Sequence, residues 1–365
     1  MWTAVSCLRP QKPLISNNTR APMNKKIILA FSLSVAVLFS WADGVVKGNV
    51  FTNPVIPTSV PDPCVIKAPD GYFYLYGTED HHNLPIYRSK NLVDWLFVGT
   101  AFNDSTRPHT VAPYVKYTYS DGSTKSPKLW APDVARIGDK YVLYYAIGVW
   151  GDHMKSGIGI AWADSPEGPF HDGGALFLSE DIGVENSIDA QYVSDGGKNY
   201  LVWGSFYGIY VIQLTDDGLH LMPGDKPHKI AGKLTEGSYI YKRNGYYYLF
   251  GSAGTCCEGV KSTYRVVVGR SRSLLGPYLD KNGNRMLDNK AELVVKGDDF
   301  VAGPGHNAEI VEDDKGQTWM PMHGYLRADA GKGRCVFLVQ IKWKKNWPYV
   351  DGQVLPRQAK APYFK

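Results

Sequence analysis

The stretch PDPCVIKAPDGYFYLYGT (residues 61–78) decides how this chain folds. Its second half is an Asp-Gly turn at Asp70-Gly71 followed by alternating aromatic and aliphatic residues. A turn of that kind leading into such a run predicts a β-strand. The first half reads as a shorter strand entering the same turn, with Asp62 at its mouth between two prolines. The pattern recurs as GDKYVLYYAI (138–147), GKNYLVWGSF (197–206), NGYYYLFGSA (244–253) and GQTWMPMHGY (316–325). Gly71, Gly138, Gly197, Gly245 and Gly316 mark the copies at intervals of 67, 59, 48 and 71 residues. Each copy is followed by a further strand-like run and turn, such as LPIYRSKNLVDWLFVG (84–99) and YRVVVGRSRSLLGPYLDKNG (264–283).

A unit of four antiparallel strands repeated five times predicts an all-β, five-bladed β-propeller with an active site at the central funnel. A β-sandwich also has many short strands, but it gives no reason for a two-hairpin unit to recur. The aromatic-rich, glycine-rich composition, with 24 Tyr, 10 Trp and 38 Gly, favours strands and turns over helices.

The N-terminus reads differently. Residues 1–22 precede a second candidate start at Met23. From there, Lys25-Lys26, the uncharged run 27–39 and Ser40-Trp41-Ala42 have the order of a secretory signal peptide. The run is shorter than the ~20 residues that span a bilayer, so no stable membrane insertion is expected. No cysteine follows the proposed cut to carry a lipid. The division is therefore a leader, 1–42, and one propeller domain, 43–365, exported to the periplasm or the medium and expected to act as a monomer. The leader carries five basic residues and no acid, so the net charge of +5 belongs to it and the remainder has 35 of each sign. With no basic face, a nucleic-acid partner is excluded. Past the leader stand Cys64, Cys256, Cys257 and Cys335, too few for a disulfide scaffold and without zinc spacing. One bridge is open to them, with its pairing undetermined.

Near the start of each repeat sits an acid: Asp62, Asp133, Asp189, Glu236 and Glu309. The first strand of a propeller blade lines the channel, so these five carboxyls are expected around one funnel. Clustered like charges raise one another's pKa. A carboxylic acid held protonated beside a carboxylate held ionised is what general acid–base chemistry needs.

The motifs PDPCVI (61–66), LWAPDV (129–134), SIDAQYV (187–193), EGSYIYKRNGYYYLF (236–250) and GPGHNAEI (303–310), one per repeat and in this order, resemble glycoside hydrolase family 43. GTCCEGVKSTYRVVVGRS (254–271) resembles its arabinan-degrading members. The resemblance covers nearly all of residues 50–355 and implies an inverting hydrolase of α-L-arabinofuranosyl linkages in plant cell-wall polysaccharide or oligosaccharide. By motif it implies Asp62 as the base that activates water, Glu236 as the acid that protonates the leaving oxygen, and Asp189 as the carboxylate that tunes and orients that acid. Inverting enzymes keep the two carboxyls roughly 6.5–9.5 Å apart to admit the water. Trp130, as an apolar platform, and Asp133, as a hydroxyl acceptor, are expected to bind sugar, with Ser205, Phe206 and Tyr207 reaching the same funnel. The resemblance also implies a calcium ion in the channel near His306, which would give it one direct or water-mediated contact, and no organic cofactor. His81-His82 lacks a third ligand and reads as loop, and Cys256-Cys257 reads as part of a loop over the cleft. Two departures stand out: Ala190 follows Asp189 where proline is frequent, and Glu236-Gly237-Ser238 replaces Glu-Ala-Pro. Another activity of the same family (β-xylosidase or galactan-directed), a glycan-binding propeller without catalysis and a protein-interaction propeller are the alternatives. Endo or exo action is expected to depend on the loops 80–85, 103–127 and 286–300.

Overall fold

A computed structural model describes residues 49–112, 115–118 and 122–365. The leader read from residues 1–42 lies outside them. Among the described residues, five antiparallel sheets follow one another along the chain. Blade 1 has strands Cys64–Lys67, Phe73–Tyr76, Pro85–Ser89 and Leu96–Thr100. Blade 2 has Lys128–Ile137, Lys140–Gly148, Gly157–Ala163 and His171–Leu178. Blade 3 has Gln191–Asp195, Lys198–Trp203, Ile209–Leu214 and His228–Ala231. Blade 4 has Glu236–Arg243, Tyr246–Ala253, Arg265–Ser271 and Glu292–Val295. Blade 5 departs from the four-strand expectation, because its first strand is broken into Val301–Asn307 and Val311–Glu312. Both pieces pair with Thr318–Leu326, and Arg334–Lys344 and Trp347–Tyr349 follow.

The five marker glycines all lie in the first hairpin turn of their blades, and all have positive φ, from 59° to 84°. That backbone is open to glycine without a steric penalty, which is why the marker recurs. The second strands are buried on both faces, and alternate side chains pack against opposite neighbours. In blade 2, Leu143, Tyr145 and Ile147 join Tyr74, Tyr76 and Ile86 of blade 1, while Val142 and Tyr144 join Leu201 and Trp203 of blade 3. Three further clusters fill the seams between blades 3 and 4, 4 and 5, and 5 and 1. The result is a closed ring, a five-bladed β-propeller whose core is divided among its seams.

The segment leading into blade 1 closes the ring against blade 5. Val50–Thr52 pairs with Gln358–Lys360 near the C-terminus. The buried Asn53 amide then imitates a strand partner: Nδ2 donates to Leu338 O and Oδ1 accepts from Leu338 N, each at 2.9 Å. Val55 N and Val336 N continue the seam as donors to Val336 O and Ile56 O.

At the hub, four blades are joined through two carboxyls. Asp133 accepts from Tyr192 N of blade 3 at 2.7 Å, and Glu309 accepts from Val65 N of blade 1. Glu309 and Asp133 also interact through their carboxyls, in the sense that favours a proton on Glu309. Burial pushes Asp133 up to about 6. It pushes Glu309 well above its ordinary value, with the nearby Asp133 adding to the effect. Acids with raised folded-state pKa values bind more protons folded than unfolded, so their contribution to stability is lost as pH rises through the folded values. The thermal midpoint should therefore fall between pH 5 and pH 8. In Glu309→Gln, whose amide keeps both hydrogen bonds without a titrating proton, that fall should be smaller; equal slopes for the two proteins would refute the raised pKa of Glu309.

Candidate active site

Strand register places the entries of the first strands at one end of the channel, and a cleft opens there. It has two joined parts, of about 350 and 680 Å³. The smaller is lined by Asp62, Asp189, Glu236, His306 and Arg334, among others, and the larger by Ser205, Phe206, Tyr207 and His153. Trp130, Trp150, Ile188, Glu236, Cys256 and Cys257 border both. Seven of the nine residues expected at the site (Asp62, Asp189, Glu236, Trp130, Ser205, Phe206 and Tyr207) thus share one cleft, and His306 makes an eighth.

Asp133 is the exception, and with it Glu309. Neither lines the cleft; the five acids divide into three at the mouth and two sealed beneath it as the hub pair. The reason is local. The register between the first two strands of blade 2 shifts between Trp130 and Asp133, with Ala131 at φ 37°. Paired with Ala146 and Tyr144, the two side chains lie on the same face; Trp130 lines the cleft, while Asp133, three residues further along the strand, accepts from Tyr192 N. Glu309 falls in the break of the first strand of blade 5.

Asp62 is held by a full set of partners. Thr78 Oγ1 donates to Oδ2 at 2.6 Å and Arg334 Nη1 to Oδ1 at 3.0 Å, while His306 Nδ1 lies 3.2 Å from Oδ1. Burial alone would raise this carboxyl, yet Arg334 and His306 outweigh it and hold it well below the usual carboxylate range. His306 shows the converse: burial would lower it, but Asp62, Asp189 and Glu236 raise it to about 9, so it is an imidazolium at neutral pH. His323 lies beneath, fully buried, and burial brings it down to about 4. Its Nδ1 accepts the Asp62 N–H at 3.0 Å. That nitrogen is also 3.2 Å from Asp62 Oδ1, but a neutral ring accepting there has no proton to give the carboxylate. The contact is not an ion pair.

Glu236 receives Ser205 Oγ at 2.6 Å and Tyr264 OH at 2.9 Å. Both hydroxyls favour the ionised form, but burial prevails and its pKa is raised. Asp189 accepts from Gly237 N at 3.1 Å and is pushed up to about 7, by burial first and also by Glu236 and Asp62. Burial thus raises both acids, and Asp189 titrates at about 7. Gly237 has φ 55°, and a Cβ on it would come within 2.9 Å of His306 Nδ1. That closeness accounts for glycine after Glu236. Trp130 lies flat over Gly148, where a Cβ would sit 2.1 Å from the indole. Asp62, Asp189, Phe206 and His306 have φ of 52°, 61°, 50° and 43°. Such left-handed backbone in non-glycine residues is sparse and tends to collect at functional sites.

Among the described residues, no three His, Cys, Asp or Glu side chains converge on a common point as a metal cage would require. Calcium takes roughly six to eight oxygen ligands, and His306 turns Nδ1 to Asp62. The protein groups do not by themselves build the calcium site that the resemblance implies.

The residues missed in the sequence are partners rather than motif members. Arg334 begins the third strand of blade 5, and its only signal is a charge ahead of the hydrophobic run Cys335–Val339. Thr78, His323 and Trp150 carry no signal of their own. Cys256 and Cys257 are bonded to each other, while Cys64 and Cys335 are buried free thiols.

Comparison with known proteins agrees with this geometry. Residues 51–348 match the model of Glycosyl hydrolases family 43. The chain belongs to that family. It is 32% identical, over 81% of its length and 87% of the relative's, to an extracellular exo-α-(1→5)-L-arabinofuranosidase of Cellvibrio japonicus. To an extracellular endo-α-(1→5)-L-arabinanase of Bacillus subtilis it is 31% identical, covering 79% and 86%. Among solved structures, an α-L-arabinanase of Cellvibrio cellulosa complexed with arabinohexaose superposes with a TM-score of 0.69 at 30% identity, covering 80% of this chain and 95% of that one. This family 43 chain is thus a glycoside hydrolase.

Arg334 is the cation nearest Asp62, so Arg334→Gln should raise the pKa of Asp62. The acidic limb of kcat/KM against pH should move to higher pH with the basic limb in place. An unmoved acidic limb would show that Arg334 does not set the charge of Asp62.

Proposed function

We propose that this family 43 hydrolase cleaves α-(1→5)-linked L-arabinofuranosyl chains with inversion at the anomeric carbon. The observation that carries the reading is the opposite bias of two carboxyls in one cleft: Arg334 and His306 pull Asp62 toward its ionised form, and burial pushes Glu236 toward its protonated one. The substrate class is supported by the relatives, whose names specify α-(1→5)-L-arabinan or arabinofuranoside chemistry.

In this scheme Asp62 accepts a proton from a water as its oxygen bonds to the anomeric carbon. The bond from that carbon to the bridging oxygen breaks, and Glu236 gives that oxygen its proton. One proton is taken and one given, leaving Asp62 protonated and Glu236 ionised until solvent resets them. Asp62 and Glu236 have separate sets of hydrogen-bond partners, as an acid and a base with separate tasks require. Asp189 acts as a positioning residue. Through Gly237 N it fixes the backbone beside Glu236, and its charge, when present, raises the acid's pKa. Trp130 offers a flat apolar face, and Ser205, beside Phe206 and Tyr207, orients Glu236.

A calcium ion near His306 stands as a proposal apart from this scheme; it would be held mainly by water, and a contact from His306 would require that ring to give up its proton. Export is likewise proposed, on the N-terminal pattern and on two relatives named extracellular. Among the described residues, no helix is long and apolar enough to cross a membrane.

Glu236→Gln and Asp62→Asn should each lower kcat on linear α-(1→5)-arabinan by about 10²–10⁴-fold, the usual contribution of acid–base groups. Proton NMR of the first product should show the β-anomer, and retention would overturn the roles assigned. Turnover should fall as pH rises and Glu236, raised by burial, gives up its proton. In Asp189→Asn, with the neighbouring charge gone, that limb should move to lower pH.

A further inference from the structure

Cys256 and Cys257 are joined to each other and border both parts of the cleft. They lie in the loop between the second and third strands of blade 4, beside Glu236 and within the same cavities as Trp130 and Trp150. The mechanism proposed above uses neither sulfur. The loop is tied down: Thr255 N donates to Thr263 Oγ1 at 3.1 Å and Ser262 Oγ donates to Thr255 O at 2.5 Å. Cys257 stays exposed and Cys256 half-buried. Across the cleft, Trp150 is 65% exposed, with its ring 6.2 Å from that of Trp130 in an edge-to-face pair. A large indole left this open beside a cleft is an unused contact face.

We propose that the Cys256–Cys257 disulfide is a sugar platform on the leaving-group side of the scissile bond, and that with Trp130 and Trp150 it grips the furanose ring that departs. This rests on the function proposed above. The side follows from the lining. Asp62 and Asp189 belong only to the smaller cavity, whereas Glu236 borders both. An acid protonates the oxygen that leaves, so the leaving chain extends from Glu236 away from the base, into the larger cavity. The disulfide stands at the junction, beside the first ring past the broken bond.

Its chemistry suits that place. A furanose presents C–H groups as well as hydroxyls, and sulfur offers a polarizable apolar surface to them. Two free thiols would be poorer: each would rotate, and each ordinarily ionises near pH ~8.5, which would bring negative charge to the acid. Bonding adjacent cysteines removes both the rotation and the charge, and an exported protein meets the oxidising conditions under which such a bond persists.

The test compares three forms of the full chain on arabino-oligosaccharides from the disaccharide to the hexasaccharide. These are the oxidised protein, the protein in dithiothreitol, and Cys256→Ala/Cys257→Ala. Dithiothreitol passes two electrons and two protons to the bridge, giving two thiols and its own cyclic disulfide. It is the one disulfide among the described residues, so the reductant has no other bond there to open. Both altered forms should show KM raised about tenfold, which is about 1.4 kcal/mol. Their kcat should be nearly unchanged and the limbs of the pH profile unmoved, a split that simple collapse of the loop would not give. Adding Trp150→Ala should cost less in the two-alanine protein than in the parent, since both sides grip one ring. An active parent with KM unchanged in both altered forms, or with kcat lost at constant KM, overturns the platform alone. A parent that hydrolyses none of the series overturns the proposed function as well.

Discussion

Five carboxyl groups drawn to the axis of a ring must lose water together, and like charges in that setting repel strongly. The propeller meets this constraint in two ways at two depths. At the mouth, Arg334 and an imidazolium at His306 supply positive charge, and Asp62 keeps its negative one. Below it no cation among the described residues offsets burial, so the pKa values of Glu309 and Asp133 rise, and backbone N–H groups from blades 1 and 3 bond the pair. Glu236 and Asp189 lie between these extremes, near His306 but without an arginine of their own, and their pKa values rise. A gradient of compensation along one channel thus shifts similar carboxyls in different directions, Asp62 down and the other four up.

Much of this was legible in the chain before any coordinates. The five units announce themselves because a positive-φ hairpin turn calls for glycine and because a strand buried on both faces shows no polar alternation, as in Tyr141–Ile147. The acids were legible as a set because each opens a repeat. Their places were not. Past a register shift, Asp133 shares a face with Trp130 but sits further along the strand, out of the cleft, and Glu309 falls in a strand break. Nothing in LWAPDV or GPGHNAEI marks either event. The partners of Asp62 were hidden for a different reason: Arg334 and His323 follow it by 272 and 261 residues in sequence, and their approach exists only once the ring has closed. Cys256-Cys257 was legible as part of a loop over the cleft, but the sequence left open which cysteines pair, and the two turn out to be bonded to each other.

That closure ties stability to chemistry at one seam. The segment carrying Asp62 leaves the N-terminal strand, runs along blade 5 and enters blade 1. On its way Val60 N donates to Arg334 O at 2.9 Å and Arg334 N to Ser59 Oγ at 3.1 Å. Asp62 N then donates to His323, and Arg334 returns its guanidinium to the Asp62 carboxylate. The contacts that hold the first blade to the last are therefore among those that keep Asp62 ionised. A seam that loosened would remove cation and backbone anchor together, and the buried carboxyl would take up a proton. Asp62 has these partners only in the closed ring, so its charge is a property of the complete fold.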